Sequence, residues 1–250
     1  TELKYHEKLI IEEVEIFLAP AGHVLGSAQV VMNFANQVIT VSGDYKRQDD
    51  PTCAAFEPIK SDIFITEATF ALPVFKHPNA NTQINLLIKS IQNFPERCHV
   101  IGVYSLGKAQ RLIKMLRNNG WHNTIYLHGS LVKICNLYEK FGIDLGDLEP
   151  ATIQDKPEKP HDFYKGKLIL APPSALADRW SRRFPDPILG MASGWMTVKQ
   201  RAKQRGINLP LILSDHADWN EILTTIKEVS PKEVWITHGA EEALIYECSK

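Results

Sequence analysis

Asp62-Ile63-Phe64-Ile65-Thr66-Glu67 is a short apolar run ending in a carboxylate, and the texture of the chain changes just behind it, at about residue 70. Upstream the pattern is strands and loops without a good helix. Residues 8–11 and 14–19 read as two strands, and 30–34 and 38–41 as a pair around Ala35-Asn36. Downstream, Asn81-Thr82 can cap a helix over 83–93, with Ile84, Leu87, Ile88 and Ile91 on one face. A strand over 100–104 follows, then a helix over 108–118 ended by Asn119-Gly120, a strand over 124–127 and a helix over 131–141 closed by Gly142. Residues 144–162 are polar and read as a loop. A strand over 167–171 and a helix over 174–183 come next. Such alternation predicts a parallel, doubly wound sheet. The chain closes with a strand over 209–213, a helix over 219–229, a strand over 233–237 and a helix from Ala240. The expected class is α/β: a β-rich layer over 1–74, an inserted α/β cap over 75–207, and a return to the first layer over 208–250.

The 250 residues are 44% hydrophobic and 23% charged, which suits a soluble globular chain of one large or two modest domains. A net charge of −1 gives no global field for a polyanion, so any such partner must meet a local basic patch. Cys53, Cys98, Cys135 and Cys248 lack C-x-x-C spacing and read as reduced thiols of a cytoplasmic protein. No apolar run approaches the ~20 residues of a membrane span, and no leader pattern opens the chain. Its first residues, without Met, read as mid-domain.

Five polar segments stand at the ends of apolar runs, where a β-rich α/β protein places its ligands. They are Ala21-Gly22-His23-Val24-Leu25-Gly26-Ser27, Ser42-Gly43-Asp44-Tyr45-Lys46, Thr66-Glu67-Ala68-Thr69-Phe70, Ser214-Asp215-His216-Ala217-Asp218 and Thr237-His238-Gly239. His23, Asp44 and His238 are residue types that zinc favours. Asp44 has two oxygens and can bridge two metals about 3.5–4 Å apart. Glu67 bonded to His216 can fix one imidazole tautomer and keep it protonated, as a general acid or a phosphate binder. Asp218 is the natural cap of the helix that follows, which leaves His216 without a structural task. Taken singly, each is a satisfied loop residue; the joint order favours function. Among the other histidines only His128 sits at a strand end.

Basic residues concentrate in the expected cap. Lys199, Arg201, Lys203 and Arg205 lie together with no acid among them; Arg179, Arg182 and Arg183 precede them, near Trp180 and Trp195, and Lys108, Arg111 and Lys114 share a helix. Such groups neutralise phosphates, and the aromatics can stack on unpaired bases; the plainer alternative is a solvated helix face. Ser105-Leu106-Gly107-Lys108 can set helix N–H groups against a phosphate, although it lacks P-loop spacing.

Residues 21–29 and 42–75, with Ser214–Trp219 and Thr237–Gly239, resemble the bacterial DNA-ligase-associated exonucleases, in the β-CASP branch of the metallo-β-lactamase superfamily. The resemblance spans essentially the whole chain and extends, more distantly, to nucleases that process RNA 3′ ends. It implies a partial metallo-β-lactamase αββα sandwich with an inserted β-CASP cap, and a two-zinc DNA exonuclease of DNA repair. His23 matches the third metal motif, Asp44 the bridging aspartate, Glu67 motif A, His216 motif B (the proton donor or phosphate binder), and His238 motif C, a ligand of the second zinc. An ATP-dependent DNA ligase and a DEXH-box helicase are the implied partners. The family's upstream His-x-His-x-Asp-His cluster has no counterpart in these residues. The chain thus reads as an incomplete copy, with two protein ligands per metal (His23 and Asp44 on one, Asp44 and His238 on the other) and an apolar sheet edge exposed. A β-CASP ribonuclease is the runner-up, and a non-catalytic nucleic-acid-binding fragment the alternative class; the stretch around Pro51-Thr52-Cys53 favours the DNA branch.

Overall fold

The computed structural model describes residues 2–152, 160–184 and 186–250; part of the stretch expected as a loop, 153–159, lies outside the described residues. The chain divides into two compact units, one of 1–77 with 215–250 and one of 78–214.

The first unit opens with strands β1 (Leu9–Ile11), β2 (Val14–Pro20), β3 (Ala28–Phe34) and β4 (Gln37–Val41), an antiparallel meander. Ala35 and Asn36 turn between β3 and β4 with φ of 48° and 62°, the left-handed backbone that a two-residue hairpin requires. Strand β5 (Ile63–Ala68) then joins β4 in parallel.

The second unit interrupts here. It runs α1 (Ala80–Asn93), β6 (His99–Gly102), α2 (Lys108–Asn118), β7 (Ile125–Leu127), α3 (Gly129–Lys140), β8 (Leu148–Pro150), α4 (Pro160–Phe163), β9 (Leu168–Ala171), β10 (Ile188–Ala192), α5 (Lys199–Gln204) and β11 (Leu209–Leu211). Its sheet has the order β11-β10-β6-β9-β7-β8, every pair parallel. Strands β6, β7 and β9 are buried along their whole length, as parallel strands covered on both faces must be.

Three expectations fail in this unit. The stretch 144–162, expected as a loop, holds strand β8 beside β7 and the start of α4. The helix expected over 174–183 is two 3-10 turns, Pro173–Leu176 and Ser181–Arg183; the Ser181 hydroxyl donates to the Leu176 and Asp178 carbonyls, competing with the helical ladder. The strand at Leu209–Leu211, expected to return to the first layer, instead edges this sheet beside β10, so the return comes at Asp215. Strand β10 itself was not anticipated, because Gly190 at its centre weakens a strand pattern. A Cβ there would lie 2.4 Å from Ile101 Cδ1, so the glycine is what lets β10 sit between β6 and β11.

The chain re-enters the first unit with α6 (Trp219–Val229), β12 (Glu233–Gly239) and α7 (Glu241–Cys248). Asp218 caps α6: its carboxylate accepts from Glu221 N, and Glu221 accepts from Asp218 N. Strand β12 pairs in parallel with β5, completing the order β1-β2-β3-β4-β5-β12.

The two faces of this sheet differ. Val31, Thr40, Phe64 and Thr66 on one face are buried. On the other face two rows cross the strands in register: Leu9-Ile16-Met32-Ile39-Ile63 and Leu18-Val30-Val41-Ile65-Trp235. Every one of these apolar side chains is partly or well exposed, Trp235 at 52%. The apolar surface expected at a sheet edge is thus a face.

A small core lies in the first unit, formed by Ala21, Tyr45, Ala68, Ala71, Ala217, Trp219, Ile222 and Leu244. Tyr45, Ala68 and Ala217 directly follow Asp44, Glu67 and His216, and Ala21 lies two residues before His23. Beside these buried neighbours Asp44 is exposed and His23 and His216 are partly exposed, whereas Glu67 is itself buried. Among the described residues, no helix is long and apolar enough to cross a membrane.

Candidate metal centre

His23 stands in the loop between β2 and β3. The loop is closed by its own hydrogen bonds: Ala21 N donates to Ser27 O, and His23 N and Val24 N both donate to Ser27 Oγ. Gly22 must be glycine, since its φ is +70° and a Cβ would lie 2.5 Å from Lys46 O. The His23 ring places Nδ1 2.7 Å from the Asp215 carbonyl. A carbonyl only accepts, so Nδ1 carries the proton and Nε2 is left with the lone pair of a metal ligand.

Asp44, exposed after β4, brings Oδ2 to 3.9 Å from His23 Nε2. That gap exceeds a hydrogen bond but approaches the ~3.4 Å that separates two donors on a tetrahedral zinc. His216 completes the group: the ligand atoms of His23, Asp44 and His216 all lie within 4.8 Å of one another, and the two rings stand 4.8 Å apart. Two imidazoles and a carboxylate, one ring with its tautomer already fixed, fit a zinc-type ion.

Glu67 stands behind His216. Its two oxygens lie 3.0 and 2.9 Å from Nδ1, and its buried carboxylate also accepts from Tyr45 N and the Thr69 hydroxyl. With Nδ1 committed to Glu67, the chemistry of His216 falls to Nε2. Burial alone pulls this imidazole down, but the Glu67 hydrogen bond and the charges of Glu67, Asp44 and Asp215 outweigh it and hold it above the ordinary histidine value.

His238 stands apart from this group. It is exposed, with φ 56°, at a bulge in β12 where the register with β5 shifts between Thr237 and Gly239. A Cβ on Gly239 would lie 2.0 Å from Ala68 O, so backbone approaches backbone beside His238.

The basic residues belong to the second unit. Arg179, Arg182, Lys199, Arg201, Lys203 and Arg205 are exposed, and the Arg201 guanidinium lies 4.2 Å from the Trp195 ring centre. Lys108 departs from expectation: it is buried, with its ammonium 4.8 Å from the Tyr104 ring. Arg111 is buried too and donates to Ser214 O. The expected phosphate cradle at the start of α2 is spent internally. Gly107 N donates to Gln110 Oε1, Lys108 N to Leu106 O and Ala109 N to Tyr104 O. His128 caps α3, accepting from Ser130 N. Sequence reasoning did not find the Asp215 carbonyl behind His23, because a backbone acceptor leaves no mark on residue identity.

Residues 210–248 match the family described as "Zn-dependent metallo-hydrolase RNA specificity domain". The chain is 27% identical over 237 residues to a probable DNA ligase of Opitutus terrae, covering 90% of this chain and 21% of that one. It is 33% identical over 142 residues to cleavage and polyadenylation specificity factor 73 of Drosophila melanogaster, covering 53% of this chain and 21% of that one. It therefore spans only about a fifth of either relative's length. A crystal structure of a protein of unknown function from Enterococcus faecalis V583 matches 96% of this chain and 62% of its own, with a TM-score of 0.63 at 12% identity. That likeness concerns the fold.

Proposed function

We propose that this chain, a member of the β-CASP branch of the metallo-β-lactamase superfamily, is a metal-dependent nuclease that hydrolyses phosphodiester bonds at DNA ends in bacterial repair. The observation that carries the reading is the convergence of His23, Asp44 and His216, with Glu67 behind His216.

A bound metal supplies a more acidic water and positive charge against the phosphoryl oxygens. His23 and Asp44 would hold that metal, and His238 would be a ligand of a second, both zinc. His216 delivers a proton from Nε2 to the leaving alkoxide. Glu67, accepting from Nδ1, orients the ring and favours its protonated form. The exposed arginines and lysines of the second unit meet substrate phosphates. A second reading, His216 as a third ligand of the first metal, is favoured by its place within the same 4.8 Å group.

The likeness over most of the chain to a probable DNA ligase supports DNA as substrate and a ligase as partner; a DEXH-box helicase is the second proposed partner. The description of the 210–248 family and the likeness to a polyadenylation factor support RNA instead. Matched single-stranded DNA and RNA, end-labelled and incubated with zinc, separate the two. Nucleotide release from DNA ends, abolished by a chelator, is the expected result. Preference for RNA overturns the DNA assignment, and binding of both without hydrolysis leaves a non-catalytic nucleic-acid-binding module.

A further inference from the structure

Three successive carbonyls of the His23 loop each take a donor from one segment, residues 46–53. Ala21 O accepts from Lys46 N at 3.2 Å, Gly22 O from Cys53 Sγ at 3.5 Å, and His23 O from Lys46 Nζ at 3.1 Å. The Lys46 side chain is fully buried and lies 2.6 Å from Asp50 Oδ2. The Asp50 side chain is buried as well, and its Oδ1 accepts from Thr52 N and Thr52 Oγ1.

A lysine is almost never fully buried unless paired, and such a pair contributes little to stability because both ions lose their hydration. An apolar side chain would fill the same space at lower cost. What the pair supplies is a direction. The ammonium donates to Asp50 on one side and to the His23 carbonyl on the other, while the ring of the same residue is held at Nδ1 by Asp215 O. Residue 23 is thereby fixed at its main chain and at its side chain by two separate segments.

We propose that Lys46, anchored by Asp50, is a positioning residue of the metal centre, setting the His23 backbone so that Nε2 points at the ion. This rests on reading His23 as a metal ligand. Lys46 touches neither metal nor substrate in this role; it acts through His23.

The test compares the full chain with the double variant Lys46→Met/Asp50→Asn. The methionine keeps the stem, and the asparagine oxygen still accepts from Thr52, so the fold is expected to persist with unchanged thermal stability. Zn2+ affinity, by chelator competition, is expected to fall about 10-fold or more, as for lost supports of metal-ligating histidines. The ring 15N signals of His23 in the metal-free protein are expected to move from a single Nδ1–H tautomer to a mixture. Lys46→Arg, which restores a paired donor, is expected to recover most of both. A folded double variant with unchanged Zn2+ affinity and unchanged tautomer overturns the proposal. Should the double variant fail to fold, Asp50→Asn alone carries the same expectation, and unchanged affinity and tautomer overturn it equally. Absence of Zn2+ binding by the parent chain would refute the ligand reading instead, and the metal-free ring signals would still judge Lys46.

Discussion

His216 has one nitrogen on Glu67 and stands within ligand distance of His23 and Asp44, and the two roles this permits differ in what the ring must carry. A proton donor needs Nε2–H; a metal ligand needs its lone pair. His216→Ala is expected to cut hydrolysis by about 10²–10⁴-fold while leaving Zn2+ affinity within about 3-fold; collapse of the affinity would make the residue a ligand. Glu67→Gln removes the charge that holds the imidazole up, so the alkaline limb of the activity profile is expected to move to lower pH, as a pH–rate series would show. His99 offers a second titration, away from the centre. Burial, helped by the Arg97 charge, pushes it down to about 4, so it stays neutral against Ser90 Oγ in the folded chain. Between its ordinary value near 6.5 and about 4, the unfolded chain binds a proton that the folded chain does not. Stability therefore falls as pH drops through that window, by at most about 3 kcal/mol. His99→Gln is expected to flatten the difference between urea unfolding at pH 7 and at pH 4.5. His23, Asp44, Glu67 and His216 each end a recognisable apolar run, but so does His238, which was expected with His23 and Asp44 and lies outside their group; which strand ends meet is set by the tertiary structure. The Lys46–Asp50 pair was not: a lysine beside Asp44 reads as solvated until the tertiary structure shows what surrounds it.

Secondary elements with strong periodicity were legible too, including α1, α2, α3 and α6, and so was the Asp218 cap. Strand β10 was missed because Gly190 weakens its pattern, and β11 was assigned to the wrong layer. Placing a strand in a sheet depends on its neighbour, and Gly190 meets Ile101 and Leu209 only after folding. The same kind of close approach makes β12 testable. At Gly239 any Cβ meets the Ala68 carbonyl, so Gly239→Ala is expected to cost about 2–4 kcal/mol and to loosen β12 from β5. Denaturant unfolding measures the cost, and amide exchange over residues 63–68 locates it. A variant as stable as the parent would mean that the bulge at His238 relaxes freely.

The first unit buries one face of its sheet and leaves Leu9, Ile16, Leu18, Val30, Met32, Ile39, Val41, Ile63, Ile65 and Trp235 partly open to water. Patches of this kind are where soluble chains associate. The purified chain is expected to brighten a hydrophobic dye and to self-associate with rising concentration in size-exclusion runs; Val30→Lys with Ile63→Lys is expected to suppress both without loss of helix signal. Dye and elution behaviour unaltered by the charges would clear this face. The pairing of β5 with β12 has a different consequence, one of timing. A ribosome delivers residues 1–77, then all of 78–214, before it makes the partner strand and His216. Loop closure over so long an interval is slow, whereas the intervening parallel unit is continuous and can condense by itself as it emerges. His23 and Asp44 therefore wait, half assembled, for a histidine translated long after them. The group of His23, Asp44 and His216 can close only after the whole of 78–214 has been made, and a nascent chain stalled within that interval holds two of its three members.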